Sequence, residues 1–269
     1  MRRLVQVFAM FATTCAAASG QQLHAPINPT ALFEKGMNAL TGTGFSHNDL
    51  SGVDYIHQSA DAGYAPAQAV MGYFAETGFS VQQDPAQALT YYTKAAAQGD
   101  RLSEWVLGRM YFTGVGEQRN LTEAERWLSK AANQGDAFGQ LLLGSLKLER
   151  NDNASAAALF RKSAEQGLPQ SQQQLGSMLK EGKGLPMNKL EAYIWLTLSY
   201  EAGNQSTASD IKQLETSLTN QEIEQAKSRV REFQSTNSRV VISRGCTGWA
   251  GEFNAVPSTP PADLQPFCR

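Results

Sequence analysis

Two series of glycines recur along this 269-residue chain at a nearly constant interval. Within each series, neighbouring glycines are 36 residues apart except for one step of 32. The first series is Gly36, Gly72, Gly108, Gly144 and Gly176, and the second is Gly63, Gly99, Gly135, Gly167 and Gly203. A fixed period of this length indicates that one small structural unit is repeated and stacked on its neighbours. The chain is therefore predicted to form a solenoid.

The residues between the glycines predict that each unit is a pair of helices. Apolar residues recur at spacings of three, four and seven, the pattern of a helix with one buried face, and the alternation typical of strands is absent. Fifteen residues before each second-series glycine stands a residue that suits a helix N-cap: Asn48, Asp84, Asn120, Asp152 and Asn188. The second-series glycines suit the left-handed position that ends a helix. We therefore expect an all-α chain of helical hairpins.

The best-defined unit, residues 107–116 and 124–135, has the pattern LGxMYxxGxG…AxxWxxxAAxQG. It resembles the Sel-one-like (Sel1-like) repeat, a relative of the tetratricopeptide repeat. The resemblance implies a right-handed α-solenoid of about five helix-turn-helix repeats over residues 29–204, near 29–64, 65–100, 101–136, 137–168 and 169–204. Capping helices are expected at 205–234, where Thr219 and Glu222 would form a capping box, and an irregular Gly/Pro-rich tail at 235–269.

The first 20 residues have the features of a secretory signal peptide, because Arg2 and Arg3 precede an apolar run and then a stretch of small residues. Residues 21–28 then form a leader segment, and the mature protein is expected to be periplasmic or secreted. The alternative is acylation at Cys15, which the residues before it do not favour. In an exported chain, Cys246 and Cys268 are expected to form one disulfide.

Composition and motifs argue against several functional classes. The chain carries 23 basic and 25 acidic residues without a basic stripe, so nucleic acid is not an expected partner. After the leader, no apolar segment has the length of a membrane span. His24, His47 and His57 lack the spacing of a zinc site, and no nucleophile or phosphate-binding motif occurs. The sequence therefore predicts no catalytic residue, no metal and no cofactor.

By analogy with tetratricopeptide-like arrays, the first helix of each hairpin is expected to line a concave groove. The residues predicted to contact a partner there are Tyr73, Leu102, Trp105, Arg109, Phe112, Phe138, Leu141 and Leu148. Such a groove favours a non-catalytic adaptor that binds a partner protein or an extended peptide. The alternative is that these aromatic residues belong to the core. A second functional hypothesis is recognition of an envelope polymer, such as peptidoglycan or an exopolysaccharide, through Gln170, Gln172, Gln173 and Gln174.

Overall fold

The computed structural model describes residues 28–41 and 49–237, which form twelve α-helices and no strand. In chain order these are α1 (Pro29–Thr41), α2 (Asp49–Asp61), α3 (Ala65–Thr77), α4 (Pro85–Ala97), α5 (Arg101–Thr113), α6 (Leu121–Asn133), α7 (Ala137–Glu149), α8 (Asn153–Glu165), α9 (Pro169–Glu181), α10 (Lys189–Glu201), α11 (Ala208–Glu215) and α12 (Asn220–Asn237). The predicted signal peptide, the Cys246–Cys268 disulfide and the chain beyond residue 237 lie outside the described residues.

Consecutive helices pack as five hairpins, from α1–α2 to α9–α10, and the hairpins stack in chain order. Buried apolar side chains form a core that continues from one hairpin to the next along this stack. The prediction of an all-α solenoid is therefore confirmed. Among the helices of residues 28–41 and 49–237, none combines the length and the hydropathy that a membrane span needs.

The first-series glycines lie where the two helices of a hairpin are in close contact. A Cβ atom added to Gly72 would be 2.9 Å from the ring of Tyr92, and one added to Gly144 would be 2.7 Å from the ring of Phe160. At Gly108 the added atom would collide with the side chain of Leu128, which is fully buried. These glycines are therefore required because they leave space for a large side chain of the partner helix.

The second-series glycines have a different role, because Gly99 has φ +86° and a Cβ atom there would meet nothing within 4 Å. They supply the left-handed backbone that ends a helix. The predicted N-caps are confirmed where the structure describes them: the side chain of Asp84 accepts hydrogen bonds from two amides of α4, and Asn120, Asp152 and Asn188 cap α6, α8 and α10. Asp100 and Asp136, which the sequence analysis did not identify, cap α5 and α7 in the same way.

The end of the stack is covered by α11 and α12, both of which pack on α10. The predicted capping box forms at the start of α12, where the Thr219 amide donates to Glu222 Oε2 at 2.8 Å and the Glu222 amide donates to Thr219 Oγ1 at 3.3 Å. Ala226 and Val230 of α12 are buried, and the ring of Phe233 lies edge-on to Trp195 at 5.6 Å. The last repeat therefore does not expose its outer apolar face.

Candidate partner-binding surface

The predicted groove residues fall into two groups in the structure. Phe112, Phe138 and Leu148 are half-buried. The others are buried, and this corrects the expectation that they line an exposed groove: Tyr73, Leu102, Trp105, Arg109 and Leu141. Trp105, expected to be among the main partner contacts, is only 2% exposed. As the chain stands, these five side chains offer little surface to a partner.

The reason is that two of the first helices, α5 and α7, pack directly against each other. We call the first helices of repeats 2 to 5, which are α3, α5, α7 and α9, the inner helices. Among them, α5 and α7 are in direct contact although α6 lies between them in the chain. The ring of Trp105 on α5 stacks on that of Phe138 on α7, with 5.2 Å between centroids and 24° between planes. The aromatic side chains that were expected to receive a partner instead contact the next repeat.

Between the inner helices of repeats 2 and 3, a buried ion pair occupies the contact. Arg109 on α5 pairs with Glu76 on α3, and both side chains are almost fully buried. The hydroxyl of Tyr92 donates a hydrogen bond to Glu76 Oε2 at 3.0 Å. Burial, and then the negative charge of Glu76, raise the pKa of Tyr92 well above its usual value, so this hydroxyl stays a donor. The cluster joins repeats 2 and 3, and its role is structural because the groups within it contact one another.

The inner side is more open at the C-terminal ends of α5 and α7. Phe112 and Leu148 hold the same repeat position on α5 and α7, four residues after the first-series glycine, and both are half-buried. On α9 the inner positions are polar, and several of their side chains are already bonded within the chain. Gln173 Nε2 donates to Ser206 Oγ at 3.0 Å, and Lys180 Nζ pairs with Asp210 Oδ1 at 2.6 Å. The open part is therefore an apolar strip next to a polar surface.

A recurring side-chain hydrogen bond, which the sequence analysis did not predict, joins the two helices of the hairpin in repeats 2, 3 and 4. Gln98 Nε2 donates to Gln68 Oε1 at 2.8 Å, and the same bond recurs from Gln134 to Glu104 and from Gln166 to Gln140. The signal is present in the sequence as a glutamine immediately before three second-series glycines. Glu104 is the one acidic member of these three pairs, and burial raises the pKa of its carboxyl. These bonds are structural links within each hairpin.

No catalytic constellation stands out among the residues that the structure describes. Groups of three or more His, Cys, Asp or Glu side chains suited to a metal ion are absent from residues 28–41 and 49–237. His57 Nδ1 lies 3.2 Å from Asp61 Oδ2 on the exposed side of α2, where both side chains face solvent. This pair has the geometry of a surface contact within one helix.

Comparison with known proteins identifies the repeat. A family model described as Sel1 repeat matches residues 65–100, 102–136, 139–168 and 169–204, about half of the chain. A protective antigen of uropathogenic Escherichia coli strains, whose crystal structure displays an SLR fold, is 25% identical with a TM-score of 0.70. The alignment covers 87% of this chain and 50% of that one, so the present chain spans about half the length of the antigen.

A Sel1 repeat protein from Oxalobacter formigenes is also similar, at 26% identity and a TM-score of 0.63, over 68% of this chain and 75% of that one. None of the curated proteins gives a significant match to the sequence.

Proposed function

Because the chain belongs to the Sel1 repeat family, we propose that it is an exported adaptor that holds a partner protein or an extended peptide on the open part of its inner side. Sel1 repeat proteins are generally non-catalytic scaffolds for protein interactions. The proposed contact strip consists of Phe112, Phe138 and Leu148. Export is proposed from the arginines, apolar run and small residues of positions 1–20.

The observation that carries the proposal is the change in exposure along the inner helices. Every residue of α5 from Leu102 to Met110 is buried, whereas Phe112, Phe138 and Leu148 keep part of their apolar surface accessible. Partly accessible aromatic and aliphatic side chains beside polar ones are typical of the anchors of protein interfaces. Phe138 is in addition held in place by its stack on Trp105, so it is rigid before a partner arrives.

Site-specific cross-linking would test this proposal. A photoreactive amino acid is placed at Leu148 on the inner side, or at Tyr200 on the second helix of the last repeat as a control. Tyr200 is 37% exposed and Leu148 is half-buried, so a cross-linker at either position can reach the surface. After irradiation in the native cell envelope, we expect one protein or peptide to be cross-linked from Leu148 and not from Tyr200.

Two variants would then test the strip itself. With the photoreactive amino acid kept at Leu148, Phe112→Ser should abolish the cross-link, whereas Val115→Ser, which changes an exposed apolar residue of the neighbouring loop, should leave it unchanged. Circular dichroism has to show that each variant is folded. A cross-link from Tyr200 alone would place the partner on the outer helices, and capture of cell-wall fragments in place of protein would favour the polymer hypothesis.

A further inference from the structure

The recurring side-chain bond of repeats 2, 3 and 4 is only half preserved in repeat 5. In the three earlier repeats, a glutamine before the second-series glycine donates to a side-chain oxygen on the inner helix. In repeat 5 the residue before the glycine is Ala202, which has no side-chain donor, but the acceptor is retained as Gln172. The last repeat therefore keeps the acceptor of the pair without its donor.

Repeat 1 shows the other way in which this pair can be lost. The residue before its second-series glycine is also an alanine, Ala62. The residue of α1 equivalent to Gln172 is Leu32, which has no side-chain acceptor. In repeat 1 the donor and the acceptor are thus both replaced by apolar residues. Repeat 5 differs because its acceptor remains.

The retained acceptor lies deep in the protein, since Gln172 is only 2% exposed. Its Nε2 donates to the backbone oxygen of Ala164 at 3.3 Å. Among residues 28–41 and 49–237, no donor lies within hydrogen-bond distance of its Oε1. A buried amide oxygen without a donor destabilises the folded state. A donor from another part of the chain would therefore be favoured at this position.

The end of α10 lies beside the start of α9, where this acceptor is located. Asn204 Nδ2, just after α10, donates to Gln173 Oε1 at 2.8 Å. Ala202 and Gln172 are close neighbours of these two residues in the sequence. The missing donor thus belongs at the C-terminal end of α10, as in the earlier repeats.

The last helix brings the remaining chain to the same end of α10. Gln234 Nε2, in the last turn of α12, donates to Glu201 Oε2 at 2.5 Å, and Glu201 is directly followed by Ala202. The helix ends three residues later, at Asn237. The chain beyond α12 therefore begins close to the acceptor that lacks a donor.

Arg239 is the first residue after α12 that has a long donor side chain. It follows Asn237 by two residues, so its Cα atom lies within about 8 Å of the end of the helix. A guanidinium has five N–H donors and no acceptor, and it can bind an amide oxygen and the nearby carboxylate of Glu201 together. We infer that Arg239 donates to Gln172 Oε1 and thereby attaches the start of the C-terminal segment to the end of the stack.

Limited proteolysis of the purified full chain tests this inference, because trypsin cleaves after arginine. Arg244, five residues further along the same segment, is the matched reference. Mass spectrometry follows both cleavages, and the ratio of their rates is compared with the ratio in the chain unfolded in urea. We expect folding to slow cleavage after Arg239 by at least about tenfold relative to Arg244, the scale of one charge-assisted hydrogen bond.

Ala202→Gln restores the residue of repeats 2 to 4 and supplies the donor from within the hairpin. It should release Arg239 and speed cleavage there by a similar factor, while cleavage after Arg244 stays the same. The thermal midpoint should be equal or higher, so unfolding cannot explain the faster cleavage. Ala62→Gln makes the same exchange at an exposed position of repeat 1 and should leave both cleavage rates unchanged.

Two results would overturn the inference. If folding protects Arg239 no more than Arg244, the oxygen of Gln172 is hydrated and the segment is not attached there. If Arg239 is protected but Ala202→Gln leaves its cleavage as slow as in the wild-type chain, the arginine is held at a different place.

Discussion

At the scale of single residues, Trp105 is the side chain whose interpretation changes most. Its indole is buried against Phe138 and is part of the contact between repeats 3 and 4. Trp105→Ala is therefore expected to lower the free energy of unfolding by about 3–5 kcal/mol, the range for removal of a large buried aromatic residue. The measurement is urea denaturation, with Tyr200→Ala as the exposed control, expected to change stability by less than about 0.5 kcal/mol. An unchanged midpoint for Trp105→Ala would mean that its burial contributes nothing to folding.

A side chain added at Gly108 would collide with a neighbouring residue, whereas one added at Gly99 would not. Gly108→Ala places a methyl group against Leu128 and should destabilise the chain by about 1–3 kcal/mol. Shortening the opposing side chain relieves the collision, so the double variant with Leu128→Ala should lose less stability than the sum of the two single variants. Gly99→Ala acts only through its positive φ and should cost about 1–2 kcal/mol. Strict additivity of Gly108→Ala and Leu128→Ala would show that the two residues do not press on each other.

At the scale of secondary-structure elements, one buried polar position of the inner helices links a hairpin to the one before it. The residues at this position are Gln68, Glu104, Gln140 and Gln172. The three glutamines donate to the backbone oxygen of the residue eight positions earlier, as Gln68 does to Ala60 at 3.1 Å. An ionised carboxylate at Glu104 cannot donate this bond. Glu104→Gln should therefore stabilise the fold by about 1 kcal/mol at pH 7, the scale of one additional hydrogen bond.

The stabilisation by Glu104→Gln should become smaller as the pH is lowered. Because burial raises the pKa of Glu104 in the folded state, the protonated carboxyl is favoured by folding. The protonated carboxyl of Glu104 therefore adds to the free energy of unfolding below about pH 4, the pKa range of a free glutamate. This stabilisation is lost as pH rises through the higher folded-state pKa. Nearby Lys130 reduces the shift and Asp100 increases it. The stability gap between Glu104→Gln and wild type should hence narrow on acidification, and a gap that widened would contradict this explanation.

The helices themselves are predictable from the sequence because their determinants lie within one repeat. Asp84 and Asn120 cap the helices they precede, and Gly72 meets a side chain of its own hairpin. The candidate site was harder to predict because burial of Trp105 depends on Phe138 in the next repeat. Repeat periodicity identifies which residues point toward the inner side, but it does not show how closely successive inner helices approach. That distance depends on the packing of several side chains at once.

At the scale of the whole molecule, each repeat contacts mainly its neighbours. A destabilising substitution at one end should therefore unfold that end and leave distant repeats folded. Ala226 of α12 is fully buried in the apolar core, and Ala226→Asp places a charge there. We expect the cap to detach at a cost of about 3–5 kcal/mol, the scale of an uncompensated buried charge.

Hydrogen exchange read by mass spectrometry would check this. Amides of α12 should lose protection, whereas those of α5 and α6 should keep it. Gln225→Asp, at the exposed neighbouring position, is the matched control and should leave α12 protected. Equal loss of protection in α5, α6 and α12 would instead mean that the stack unfolds as a single unit.

The tighter turn between α7 and α8 has an evolutionary consequence. The step between first-series glycines shortens there from 36 to 32 residues, yet Asn151 adopts a left-handed backbone (φ +60°) and Asp152 still caps α8. A deletion in the gene can thus be absorbed within a single turn while both helices of the unit survive. The length of this turn can therefore change without loss of either helix, whereas the glycine beneath each large side chain cannot be enlarged without a collision.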